Sequence, residues 1–252
     1  MQRRELDEYL RRFLEVENYD DEAVNGLQVE GREEVRRIAF GVSACAEVFR
    51  KAAAAKADAL VVHHGLLWKG SGPEPITGML RSRLGILFDA GASLFAYHLP
   101  LDAHGEVGNN AVAARALGLQ ELNPFCDYHG QLIGWEGSFP ESLSTREFVN
   151  RLEAYYGHRA HVVEGGPARV RRVGIVSGGA AKEAREAAAL GLDAYVTGEP
   201  GEPATYLARE SGLTFAAMGH YATERVGVQA LARHLEGRFG VETLFIEVEN
   251  EA

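Results

Sequence analysis

Six side chains carry most of the chemistry open to this 252-residue chain. His63 and His64 are adjacent at the end of the apolar run A-L-V-V-H-H (59–64), His98 and Asp102 lie in Y-H-L-P-L-D (97–102), and His220 and Glu224 lie in G-H-Y-A-T-E (219–224). Imidazoles and carboxylates crowded into a small volume repel when protonated, or carry uncompensated negative charge when ionised; a divalent cation resolves both problems. The chain has only Cys45 and Cys126, without C-x-x-C spacing, which argues against a disulfide framework or a closed cysteine-zinc site. A mixed His/Asp/Glu set suits catalytic zinc, iron, manganese, cobalt or nickel. Neighbouring strand residues point to opposite sides, so His63 and His64 are expected to serve different ions. With two carboxylates available to bridge, the economical arrangement is a dinuclear site whose ions stand roughly 3.5 to 4 Å apart. For two adjacent histidines alone, an ordinary loop role is an equal reading; the other two clusters tip the balance.

The elements that must hold these residues are legible as alternating periodicities. Leu6, Tyr9, Leu10, Phe13 and Leu14 fall at helical spacing, whereas Val35–Ser43 and Ala59–Val62 are short apolar runs closed by glycine or polar residues. Strands are also expected at 93–97, 170–176, 193–197, 213–217 and 242–248, with helices near 45–56, 78–90, 108–117, 180–190 and 223–236. The alternation predicts βαβ units and a layered α/β fold. The stretch from about 126 to 165 shows no clear period.

An internal repeat organises the chain. Residues 36–65 align without a gap on residues 171–200, with ten identities that include Arg36, Arg37, Asp58, Ala59 and Val61 and their counterparts 135 positions on. Alanine-rich helices make several of these cheap, but the paired strands and the Asp-Ala step before the second strand are less so. A period this long suits a duplicated domain and not a solenoid. Two similar layered α/β halves are therefore expected, 1–125 and 126–252, related by a pseudo-twofold axis with the metal site between them. Each half runs on to a short strand ending in His-x-x-x-carboxylate, so His98/Asp102 answers His220/Glu224, and open α/β sheets place ligands at the carboxyl ends of their strands.

Composition narrows the function classes. A net charge of −10 argues against a generally basic nucleic-acid surface. The charged N-terminus M-Q-R-R-E-L-D-E-Y-L and the absence of any eighteen-residue apolar run predict no membrane span and a cytoplasmic protein. S-G-G at 177–179 reads as a turn or, less simply, as a phosphate cradle. Trp68 and Lys69 either line a pocket or pack, and N-G-L-Q-V-E-G (25–31) is either a turn with packing residues or a segment reaching the site through Asn25 and Gln28.

The segments N-G-L-Q-V-E-G, V-V-H-H-G-L-L-W-K-G (61–70), Y-H-L-P-L-D-A-H (97–104), G-N-N (108–110) and G-H-Y-A-T-E together resemble the Nif-three-like family, whose members are often named type 2 GTP cyclohydrolase I proteins. The resemblance spans nearly the whole chain. It implies a homohexameric toroid built as a trimer of dimers, with two divalent ions per subunit held by His63, His64, Asp102, His220 and Glu224. His98 is then either a further ligand or a residue that orients one or moves a proton. Gly65 stands where many relatives have proline. The activity implied is metal-dependent hydrolysis of a nucleotide or other small anionic substrate; in the cyclohydrolase version, C8 of guanine is attacked, the ring opens and formate leaves. The alternative from another class is a ring-shaped metal-stabilised scaffold that binds a protein partner or threads nucleic acid.

Overall fold

The computed structural model describes residues 1–72, 75–248 and 250. In chain order the elements are α1 (Arg3–Phe13), β1 (Gly26–Val29), β2 (Arg37–Ser43), α2 (Ala46–Ala54), β3 (Ala59–His64), α3 (Gly78–Ala90), β4 (Ser93–Ala96), α4 (Leu99–Ala103), α5 (Asn109–Ala116), β5 (Gln120–Tyr128), β6 (Gln131–Ser144), α6 (Thr145–Tyr156), β7 (His161–Glu164), β8 (Arg169–Ile175), α7 (Ala184–Ala189), β9 (Ala194–Thr197), α8 (Glu202–Ser211), β10 (Thr214–Ala217), α9 (His220–Phe239) and β11 (Glu242–Phe245). They form two compact α/β units, Met1–Leu101 with Val228–Glu249, and Asp102–Gly227. A cut at 125/126 follows the sequence repeat, whereas grouping by contacts returns the end of α9 and β11 to the first unit, because β11 pairs with β2.

The first unit is built on a five-stranded sheet, β1-β4-β3-β2-β11. Its four strands β4, β3, β2 and β11 run parallel, with β1 antiparallel on one edge. Such strands are covered on both faces, which is why β2 and β3 read as continuous apolar runs instead of alternating. One face packs Ala39, Leu60, Val62, Leu94 and Ala96 with Val48, Phe49 and Ala52 of α2 and Leu87 of α3. Tyr9 and Phe13 of α1 stack on His234 of α9, and the Tyr9 hydroxyl lies 2.6 Å from His234 Nε2.

The second unit carries a six-stranded sheet, β5-β6-β8-β9-β10-β7. Its centre β8-β9-β10 is parallel and its flanks β6 and β7 are antiparallel. The stretch that showed no period holds the β5–β6 hairpin, α6 and β7. His129 and Gly130 make the hairpin turn with φ of 53° and 84°, the twist a tight two-residue turn needs, but without the Asn-Gly or Asp-Gly that usually announces one. α6 is fixed by a capping box between Ser144 and Glu147.

The aligned thirty residues adopt the same local structure in both units. Ile38 pairs with Ala59 in the first and Val173 with Ala194 in the second, the same positions of the alignment. Asp58 Oδ2 accepts the backbone N–H groups of Arg36 and Arg37 at 3.0 and 3.1 Å, and Asp193 Oδ2 accepts those of Arg171 and Arg172 at 2.8 and 2.9 Å. The shared aspartate thus ties the start of one strand to the start of the next.

Candidate metal centre

In the first unit the strand ends bring three imidazoles together. β3 finishes on His63 and His64, and His98 follows β4. Ring centroids stand 4.7 Å apart for His63 and His64, 5.0 Å for His63 and His98, and 5.6 Å for His64 and His98. One ring nitrogen of each lies within 4.8 Å of the others. Alternation along the strand therefore does not keep the two rings apart. Strand side chains lean along the strand direction, and at the last two residues of β3 both rings can reach past the pleat instead of standing off its two faces.

What fixes each ring is a contact at Nδ1. His63 Nδ1 donates to the Tyr97 carbonyl oxygen at 2.9 Å, His98 Nδ1 donates to Asp21 Oδ1 at 3.0 Å, and His64 Nδ1 lies 3.1 Å from Ser43 Oγ. A carbonyl or carboxylate oxygen only accepts, so His63 and His98 each carry a proton on Nδ1, which leaves Nε2 as the nitrogen for a ligand. This is the arrangement by which proteins orient metal-binding imidazoles. Asp21 is buried and also accepts N–H groups from Ala23, Asn25 and Leu99. Burial pushes its carboxyl up, but the hydrogen bond and charge of His98, with the bonds from Asn25 and Ala23, outweigh that and hold it down at about 2. Asn25 Oδ1 accepts the His98 backbone N–H at 2.7 Å. Gln28 Oε1 accepts the N–H groups of Leu66 and Leu67, while its Nε2 donates to the carbonyls of Val24 and Leu67. Both residues thus reach the segments beside the histidines. Trp68 lies edge-on to His98, centroids 5.2 Å apart, with Nε1 donating to Gly65 O.

The second unit supplies carboxylates. Asp102 and Glu224 are buried, and an oxygen of one lies within 4.8 Å of an oxygen of the other. Asp102 Oδ1 accepts from Asn109 Nδ2 at 2.8 Å and from Ser177 Oγ at 2.7 Å. His220, the first residue of α9, places Nε2 3.0 Å from Glu224 Oε1 one turn along, and Nδ1 2.6 Å from Glu199 Oε1. The hydrogen bond to Glu224 is the main reason the imidazole is pushed up to about 9; burial opposes it, and the Glu224 charge and the bond and charge of Glu199 add to it. The same lone pair that holds this proton would bind a divalent ion, and the neighbouring Asp102 and Glu224 carboxylates suit the same replacement. The donor chemistry fits a borderline divalent cation.

The S-G-G stretch is a turn. The N–H groups of Ser177, Gly178 and Ala180 donate to Asn110 Oδ1, Thr223 Oγ1 and Thr197 Oγ1, so they are already engaged within the protein. Outside the two sets, His104 Nδ1 accepts the Glu106 and Val107 N–H groups, and His158 Nδ1 donates to Arg159 O.

Two orienting residues escaped the sequence reading. Asp21 lies in the acidic run Y-D-D-E, where nothing local distinguishes it from Asp20 or Glu22. Glu199 was within reach, since it occupies the repeat position of His64.

The family model for DUF34/NIF3 (NGG1p interacting factor 3) matches residues 1–252. A GTP cyclohydrolase 1 type 2 homolog from Deinococcus radiodurans is 42% identical over 244 residues, covering 97% of this chain and 92% of its own. One from Archaeoglobus fulgidus is 41% identical over 244 residues, covering 97% of each chain. Among solved structures, TTHA1606 from Thermus thermophilus superposes over the full length of both chains with a TM-score of 0.92 at 40% identity. Reduced HcgD from Methanocaldococcus jannaschii shares the fold, with a TM-score of 0.86 at 24% identity and 98% of each chain covered.

Proposed function

The chain belongs to the DUF34/NIF3 family, and from that premise we propose that it is a divalent-metal-dependent hydrolase acting on a nucleotide or other small anionic substrate. The proposed ligands are His63, His64, Asp102, His220 and Glu224, holding two ions per chain as the resemblance implies. The observation that carries the reading is the set of oxygen partners at Nδ1. Tyr97 O, Asp21 and Glu199 each hold an imidazole by that nitrogen, and Ser43 lies at the same nitrogen of His64. A packing histidine has no need of this; a ligand whose Nε2 must be aimed does. The names of the relatives, GTP cyclohydrolase 1 type 2 homologs, support a nucleotide substrate.

Bound ions of this kind lower the pKa of a coordinated water and polarise a C=N, amide or phosphoryl group. The chain's own residues do the rest. Asp21 keeps the His98 proton on Nδ1 and leaves Nε2 to take up or deliver a proton. The Trp68 ring lies edge-on to the His98 ring and backs it on one side. Glu199 fixes the His220 ring, and Asn109 and Ser177 fix the Asp102 carboxylate.

The test is elemental analysis of protein purified without chelator, anomalous scattering from its crystals, and loading with iron, zinc, manganese, cobalt or nickel while GTP loss and formate release are followed. Two ions per chain and GTP consumption are expected. Protein that retains no ion under any loading overturns the metal reading. No GTP turnover with any metal, alongside hydrolysis of another phosphate or amide compound, moves the reaction class.

A further inference from the structure

A cleft of about 540 Å³ opens in the second unit between the start of α7 and α8. Its size is that of a small-molecule site, roughly 300 to 1,000 Å³. Pro200, Pro203 and Leu207 supply apolar wall, and Lys182 and Arg185 stand at its edge, exposed. Among the described residues neither cation forms an ion pair, although Arg3, Arg11, Arg36, Arg37 and Lys51 all do in this acidic chain. One carboxylate on the wall, Glu210, is exposed. The other, Glu199, is also exposed and meets His220 through the 2.6 Å contact at Nδ1. The cleft therefore ends beside a histidine of the proposed ligand set.

We propose that this cleft binds the substrate as a phosphorylated small molecule, its phosphate between Lys182 and Arg185 and its flat, weakly polar body along Pro200, Pro203 and Leu207, so that its reacting end lies at the Glu199–His220 edge. Two cations of different geometry suit one phosphate: the arginine fork binds two oxygens and the lysine acts as a point charge. The prolines and leucine add area that favours a ring over a bare anion. The orientation of the ligand rests on the metal-hydrolase reading; the binding itself does not.

Calorimetric titration with GMP, guanosine and inorganic phosphate, on the wild type and on the Lys182→Gln/Arg185→Gln double variant, separates the two. Both positions are exposed, so the fold is retained, and metal content is measured on the same samples. Expected is GMP binding that weakens about two- to thirtyfold in the double variant, since each of the two exposed contacts contributes a few tenths to one kcal/mol. Guanosine binding and metal content should not change. Equal GMP affinity in the two proteins, no GMP binding at millimolar concentration, or inorganic phosphate binding as tightly as GMP overturns the assignment. Protein that holds no metal yet shows the expected GMP dependence keeps the cleft and removes the hydrolase reading.

Discussion

The ends of β3 and β9 occupy the same positions of the internal repeat and do different chemistry. In the first unit these positions are His63 and His64; in the second they are Gly198 and Glu199. A histidine has no room at 198, because even a Cβ there would stand 2.7 Å from the Gly178 carbonyl oxygen and 2.8 Å from the His220 Cα. The strands below this level agree in register, and both begin at an aspartate that ties two backbone N–H groups. The strand pairing and the aspartate tie are common to the two units, and the chemistry differs where the strands end. One unit presents imidazole nitrogens; the other presents carboxylates with a histidine held between two of them.

The largest effect that can break this comparison is expected at the carboxylates. Glu224→Gln should lower the bound metal from the proposed two ions per chain to one or none by elemental analysis, because Asp102 is then the one carboxylate left in the proposed ligand set. Full retention of both ions would show that neither ion needs the Glu224 carboxylate. The residues that orient the imidazoles should matter less. Asp21→Asn and Glu199→Gln are each expected to weaken metal affinity about 10- to 100-fold in a competitive chelator titration. A loss in one variant alone would show that only one unit positions a ligand.

How much of this could be read from the chain follows from where the information sits. The βαβ core and the grouping of these side chains near strand ends were legible, because apolar runs and His-x-x-x-carboxylate spacing are local signals that the sequence states twice. The β5–β6 hairpin was not, since its turn is built from His129 and Gly130 and its strands mix exposed and buried residues. α8 was likewise missed; its second residue is Pro203, and its buried residues, Ala204 and Ala208, are small. Asp21 meets His98 across 77 residues, a contact that no spacing rule reaches.

The smallest expected effect sharpens the shared half of the comparison. Asp58→Ala and Asp193→Ala each remove one acceptor from two backbone N–H groups and should cost similar amounts, about 1 to 3 kcal/mol, in urea denaturation. Neither should alter metal content. A large difference between the two would mean that the strand starts are held by different forces despite their matching bonds.

Gly65 sets a limit on what the segment behind the histidines tolerates. The Gln28 amide fills the space where a Cβ at position 65 would sit, and the Ala96 methyl stands 2.6 Å from the same point. A bulkier residue at 65 would have to evict the amide that laces Val24, Leu66 and Leu67 together, so the two positions can change only in concert.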